Sequence, residues 1–120
     1  ARPELQAVAR RLGDALQAWV KATEWLSAEA KNGLAGPLTA AVPYLDLAVA
    51  VTGGWLMGKA ALAAAGYLDR GEGDQAFYTA KLASAGFYAE QSLPLAQARV
   101  VSVLAGDGGI AGLGGEALFG

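Results

Sequence analysis

Three sets of residues in this chain have the types that could do chemistry. Glu24 and Glu29 lie near one another in sequence, as do Asp69, Glu72 and Asp74, and paired carboxylates serve as general acid and base once burial or a neighbouring charge tunes them. These are poorly placed for it. Glu24 falls on a polar helix face, Asp69 and Glu72 in a turn, and Asp74 where a helix begins, so solvation and capping account for all of them. The second set is glycine: Gly112-Leu113-Gly114-Gly115-Glu116-Ala117 aligns loosely with a dinucleotide fingerprint, which needs a strand before it and a helix after it. Neither is predicted. Gly58-Lys59-Ala60 likewise lacks the hydroxyl residue and the preceding loop of a phosphate-binding lysine. The third set is Asp46 and Lys59, two charges in an otherwise apolar stretch, which read as a hydrogen-bonded core position or an interface ion pair before they read as a ligand site. With no histidine and no cysteine, imidazole chemistry, thiol chemistry and a disulfide framework are excluded. No catalytic, cofactor-binding or metal-ligating residue is assigned.

The elements that position these residues are all helical. From Val42 to Leu68 the chain runs 27 residues with Asp46 and Lys59 as its two charges, and large apolar residues fall on every side of the helix this predicts. About 20 such residues suffice to cross a bilayer, but a lysine at mid-depth costs roughly 3 kcal/mol and the neighbouring helices would turn charged sides to lipid. The run is therefore read as a central helix walled in by protein, without a membrane span. Apolar residues make up 54% of the 120 and charged ones 17%, low for a freestanding soluble domain, so some apolar surface is expected to meet a partner. Nine basic and eleven acidic residues, scattered in sign, argue against nucleic acid, which needs clustered Lys and Arg. A cysteine-free chain agrees with a reducing cytoplasm.

Helix one is predicted from Pro3, with a stripe of Leu5, Val8, Leu12, Leu16, Trp19, Val20, Thr23 and Leu26, to a glycine cap near Asn32-Gly33. A link carrying Gly36-Pro37 turns the chain. Helix two follows from Thr39 or Pro43, with Gly53, Gly54, Gly58, Ala61 and Ala65 forming a smooth side where another backbone can approach. After the polar link Asp69 to Gly73, Asp74 caps helix three, which carries Phe77, Ala80, Ala83, Ser84 and Phe87 on one side and Tyr78, Leu82, Ala85, Ala89 and Leu93 on another. It kinks near Pro94, where Ser92 is expected to cap a new turn. Seven glycines in the fifteen residues from Gly106 to Gly120 make the end a loop, anchored by Leu118 and Phe119. The expectation is an all-α fold: an up-down antiparallel bundle of three long helices over residues 1–105, with a Gly-rich C-terminal arm over 106–120. Trp25 and Tyr88 fall off the main stripes, so with Asp46, Lys59 and Phe119 they form the expected interface set.

Val42-Pro43-Tyr44-Leu45, Gly53-Gly54-Trp55-Leu56, the run Asp74 to Ala83 and the run Phe87 to Pro94 together resemble the C-terminal helical domain of one branch of bacterial acyl-CoA dehydrogenases. The likeness covers most of the chain and is strongest from Pro43 to Pro94. It implies a parent enzyme that oxidises acyl-CoA thioesters with FAD, the flavin and the glutamate base residing in domains outside this chain. No catalytic residue carries over, and no cofactor is expected within the chain. The implied role is structural or oligomerising, the partners being the dehydrogenase core domains, a second subunit in a homo-oligomer, or both. The starting residues Ala1-Arg2-Pro3-Glu4 lack an initiator methionine and the apolar core of a signal peptide, so a processed chain or a piece of a longer one is expected. The alternative is a freestanding helical protein holding an apolar ligand within its bundle, marked by an enclosed cavity; a membrane-associated helical protein is a third reading.

Overall fold

In a computed structural model, which describes residues 2–106, the chain forms helices joined by short links, α1 Pro3–Glu29, α2 Ala35–Arg70, α3 Gln75–Gln91 and α4 Leu95–Leu104. No strand occurs among the described residues. The all-α up-down bundle is as expected, with the third helix divided into α3 and α4. Its long axis is α2, whose 36 residues span about 54 Å and which touches each of the other three helices.

Each boundary has a local cause. Pro3 occupies the first turn of α1, where its missing N–H leaves no hydrogen bond unmade, and Glu4 meets the positive end of the dipole. A short 3-10 turn, Ala30–Asn32, ends at Gly33 with φ 114° and ψ −177°, a conformation that side chains disfavour. Gly71 closes α2 in the left-handed region, its N–H donating to the Leu68 carbonyl at 3.1 Å while Glu72 N–H donates to Tyr67 at 3.0 Å. That pair of bonds satisfies the last carbonyls of the helix. Asp74 then caps α3 by accepting from Phe77 N–H at 3.1 Å, and Tyr67 stacks on Tyr78 across the turn with centroids 4.7 Å apart.

Two boundaries differ from expectation. Helix α2 begins at Ala35 and runs through both prolines: Pro37 lies in the first turn, where no N–H is needed, and the helix passes Pro43 without that residue's donation to Thr39. Ser92 does not cap α4. Its carbonyl accepts from Leu95 N–H at 3.1 Å, and Pro94, lacking an N–H, makes the break. The expected arm over 106–120 lies outside the described residues except for Gly106.

What lies inside is mostly small. Ten of the seventeen buried apolar residues are alanines, so the helices approach closely and the large side chains are displaced outward. In α1 the buried positions are Val8, Ala15, Ala18 and Ala22, while Leu16 and Val20 of the predicted stripe are exposed. In α3 the side with Leu82, Ala85 and Ala89 is buried, and Phe77 and Phe87 face outward. The smooth side of α2 meets its neighbours as expected: a Cβ on Gly54 would lie 2.9 Å from Leu93 Cδ2 and 3.1 Å from Leu12 Cδ1, and one on Gly58 would lie 3.2 Å from Val8 Cγ1. These glycines are filled by their partners.

Tyr88 locks α3 onto α2. Its hydroxyl donates to the Ala50 carbonyl at 2.8 Å, and a Cβ on Gly53 would stand 2.5 Å from the same oxygen. Burial pushes the Tyr88 phenol above its ordinary 10.0, because the phenolate would lose its water. Surface ion pairs add registration: Arg2 reaches Asp69 at 2.7 Å, and Arg10 and Arg11 reach Glu90 at 2.9 and 3.1 Å. Exposed pairs of this kind are worth at most about 1 kcal/mol each.

Two outcomes are expected. Gly53→Ala should destabilise the protein by about 2 kcal/mol in denaturant melts through overpacking against the Tyr88 oxygen, and by distinctly less in a Tyr88→Phe background, where the ring carbon Cζ at 3.2 Å is the remaining close contact. Strictly additive effects would contradict the contact. Because the folded phenol has the higher pKa, its contribution to stability is present below pH 10 and is lost as pH rises through the folded value; melts taken across that range should show a shallower alkaline decline in Tyr88→Phe.

Candidate functional site

The described residues contain no group of three or more Asp, Glu, His or Cys placed to hold a metal. Carboxylates with chemical potential are accounted for at the surface: Asp69 pairs with Arg2, Glu72 with Arg70 at 3.1 Å, and Asp74 serves as a cap.

The structure does not bring the expected interface residues into one site. Trp25 is partly buried at one end of the bundle, where Cβ atoms on Gly36 and Gly106 would lie 3.5 and 3.6 Å from its ring. Tyr88 is committed to the α2–α3 contact just described. Asp46 is exposed on the α4 side of α2, 3.9 Å from Arg99 Nε. Lys59 is exposed on the α1 side, its Nζ 4.6 Å from the Trp55 ring centroid. Neither charge is a core position. Phe119 lies outside the described residues.

The surface that does stand out is the side of α2 opposite its alanine and glycine seam. Contrary to the expectation that this helix is enclosed all round, the bundle covers one side, where Ala40, Leu47, Val51, Gly54, Ala61 and Ala65 are buried. Leu38, Val42, Leu45, Val49 and Leu56 are exposed, and their steps of four, three, four and seven place them on one line along the helix. A single chain leaves that line bare because α1, α3 and α4 all pack against the inner half of the helix. Its signal in the sequence is a second apolar line, at helical spacing, opposite the small residues.

Shallow hollows flank the line. Between the second half of α1 and the start of α2 is an open groove of about 670 Å³, walled by Trp19, Val20, Thr23, Ser27 and Tyr44 with Lys31 at its edge. Thr23 Oγ1 and Tyr44 Oη are 2.7 Å apart there, and Trp19 Nε1 is shielded from solvent without a hydrogen-bond partner among the described residues. A second slot of about 240 Å³ runs between Leu5, Leu12 and Leu62, beneath Trp55 and Lys59. Both open to the surface.

By length and composition α2 could cross a membrane, and it is the one such helix among the described residues. Its neighbours argue otherwise. The outer face of α1 carries Arg10, Asp14, Lys21 and Glu24, all exposed, so a bilayer around α2 would meet charge within one helix diameter.

Comparison with known proteins relates this bundle to a family. The profile of a family described as "Acetyl-CoA dehydrogenase C-terminal like" matches residues 1–113. A 3-methylmercaptopropionyl-CoA dehydrogenase of Ruegeria pomeroyi is 36% identical over 88 residues, which is 73% of this chain and 15% of that protein. The chain thus spans about 15% of the length of the relative it matches. On a match over 113 of its 120 residues, and with the helical architecture to accompany it, the chain belongs to the acetyl-CoA dehydrogenase C-terminal-like family.

Proposed function

We propose that this chain is the C-terminal structural domain of an FAD-dependent acyl-CoA dehydrogenase, shaping the enzyme or its oligomer and contributing no reacting group. The observation that carries this reading is the uncharged apolar line on α2, taken with the family membership. An independent soluble domain rarely leaves so much contiguous apolar surface in water, whereas a piece of a larger assembly needs it. Catalysis and flavin binding belong in this reading to the remainder of the polypeptide, which oxidises an acyl-CoA thioester to the enoyl form. The partners are the dehydrogenase core domains and, in a homo-oligomer, a second subunit, and the compartment is the cytoplasm.

The alternative, an apolar ligand held within the bundle, is disfavoured by the packing. Leu47, Leu93, Val51 and Val103 fill the interior, and the groove of about 670 Å³ between α1 and α2 opens to the surface instead of forming an enclosed chamber. Small-residue seams leave little room for a guest.

Two measurements test the reading. The full-length protein should purify yellow and reduce its flavin on addition of an acyl-CoA; a colourless protein inert to acyl-CoA would overturn the assignment. The chain expressed by itself should carry no flavin and should elute larger than a monomer in size-exclusion chromatography. Replacing Leu45 and Val49 by lysine should restore the monomer by charging the bare line, and a flavin-loaded isolated chain would contradict a purely structural role.

A further inference from the structure

We propose that the outer line of α2 is where this domain docks onto the dehydrogenase portion of its own polypeptide, an inference that rests on the function proposed above. Among the faces of the bundle, this one is suited to permanent cover. The outer face of α1 is charged through Arg10, Asp14, Lys21 and Glu24, and the exposed Phe77 and Phe87 of α3 are interspersed with Lys81 and Glu90. On α2 five large apolar side chains from Leu38 to Leu56 follow one another over about 27 Å with no charge on their line.

The two charges of the same stretch are turned aside and engaged. Asp46 lies toward α4, within 3.9 Å of Arg99, and Lys59 lies toward α1 over the Trp55 ring. Docking on the line therefore desolvates no unpaired ion at its centre, which is the condition for an apolar interface to be favourable. Asp46 and Lys59 become its polar rim. An uncharged ridge of this shape fits an apolar helical or sheet face and offers nothing to a phosphate backbone or an acidic peptide.

The occupant follows from how much polypeptide the relative holds beyond the matched region. This chain covers 15% of the Ruegeria pomeroyi dehydrogenase, so in a protein of that plan most of the chain is tethered to this domain. A tether supplies an effective concentration on the order of millimolar, against which a free second copy competes poorly. The dehydrogenase portion of the same polypeptide reaches the ridge first.

Thiol labelling of the full-length protein tests this directly, because the chain has no cysteine of its own and each introduced thiol is unique within the domain. Within the bundle Val49 and Phe87 are about equally exposed, at 64% and 70%, so any difference between Val49→Cys and Phe87→Cys reports cover from outside the domain. Val49→Cys should react with a maleimide about tenfold more slowly than Phe87→Cys in the native protein, and equally fast after denaturation. Leu45→Cys repeats the reading should Val49→Cys fold poorly. A photo-crosslinker carried on the Val49→Cys thiol should give adducts with the dehydrogenase portion of the same chain. Equal native rates overturn the proposal, and so do adducts confined to α2 of a second copy. Flavin absorbance of the same samples separates the two ideas: flavin present with equal rates removes the docking face alone, whereas no flavin removes the function on which it rests.

Discussion

The close approach of α2 to its neighbours, made possible by glycine and alanine along its inner side, sets the rest of the structure. At Gly54 the space a methyl group would need is taken by Leu93 and Leu12, and at Gly53 it is taken by the Tyr88 hydroxyl. Helices packed this closely admit only a few large side chains between them, Leu47, Leu82 and Leu93 among them, while Leu16, Val20, Phe77 and Phe87 stay outside. The bare apolar line of α2 is the direct result. A conventional bundle with leucines inside would have left the outside polar and the domain self-sufficient.

The break between α3 and α4 serves the same constraint. Pro94 ends the run of backbone bonds, and Leu93 drops between α1 and α2 with 2% of its surface exposed, opposite the missing side chain of Gly54. One large residue at the bend and one absent side chain on α2 form a single fitted contact. Tyr88, one turn earlier, does the same at Gly53, adding a hydrogen bond to a backbone carbonyl that α2 already uses. Shape and polarity agree at both places.

Much of this is legible in the amino-acid order, and the exceptions have physical reasons. Pro3 at the first turn and the Asp74 cap follow from chemistry confined to a few neighbouring residues, and the helix starts they predict are the ones observed; the polar link from Asp69 to Gly73 stops α2 as expected, though the helix takes in Asp69 and Arg70 before Gly71 closes it. The start of α2 departs from expectation because Gly36-Pro37 resembles a breaker, yet a proline that early sacrifices no bond. The inner face of α1 departs from it because side-chain apolarity ranks Leu16 and Val20 above Ala15, Ala18 and Ala22, while helix separation, which no local pattern encodes, ranks them the other way. Tyr88 and Trp25 lie off the apolar stripes, which points to a partner surface; Tyr88 instead holds two helices of its own bundle together, and Trp25 closes one end. The exposed line escapes a reading in which a long apolar helix must be buried on every side.

An interior built largely of alanine also changes how the domain responds to temperature. Ten of the seventeen buried apolar residues release no more than a methyl group on unfolding, and the larger side chains on the α2 line are already hydrated before the chain opens. The heat-capacity increment of the separated domain should therefore fall below the usual value of about 12–15 cal/mol/K per residue, giving a broad, shallow stability curve. Docked along α2 in the way proposed, the same sequence would hide that line in the native state as well. Calorimetric curvature would then be larger in the docked state than in the separated domain.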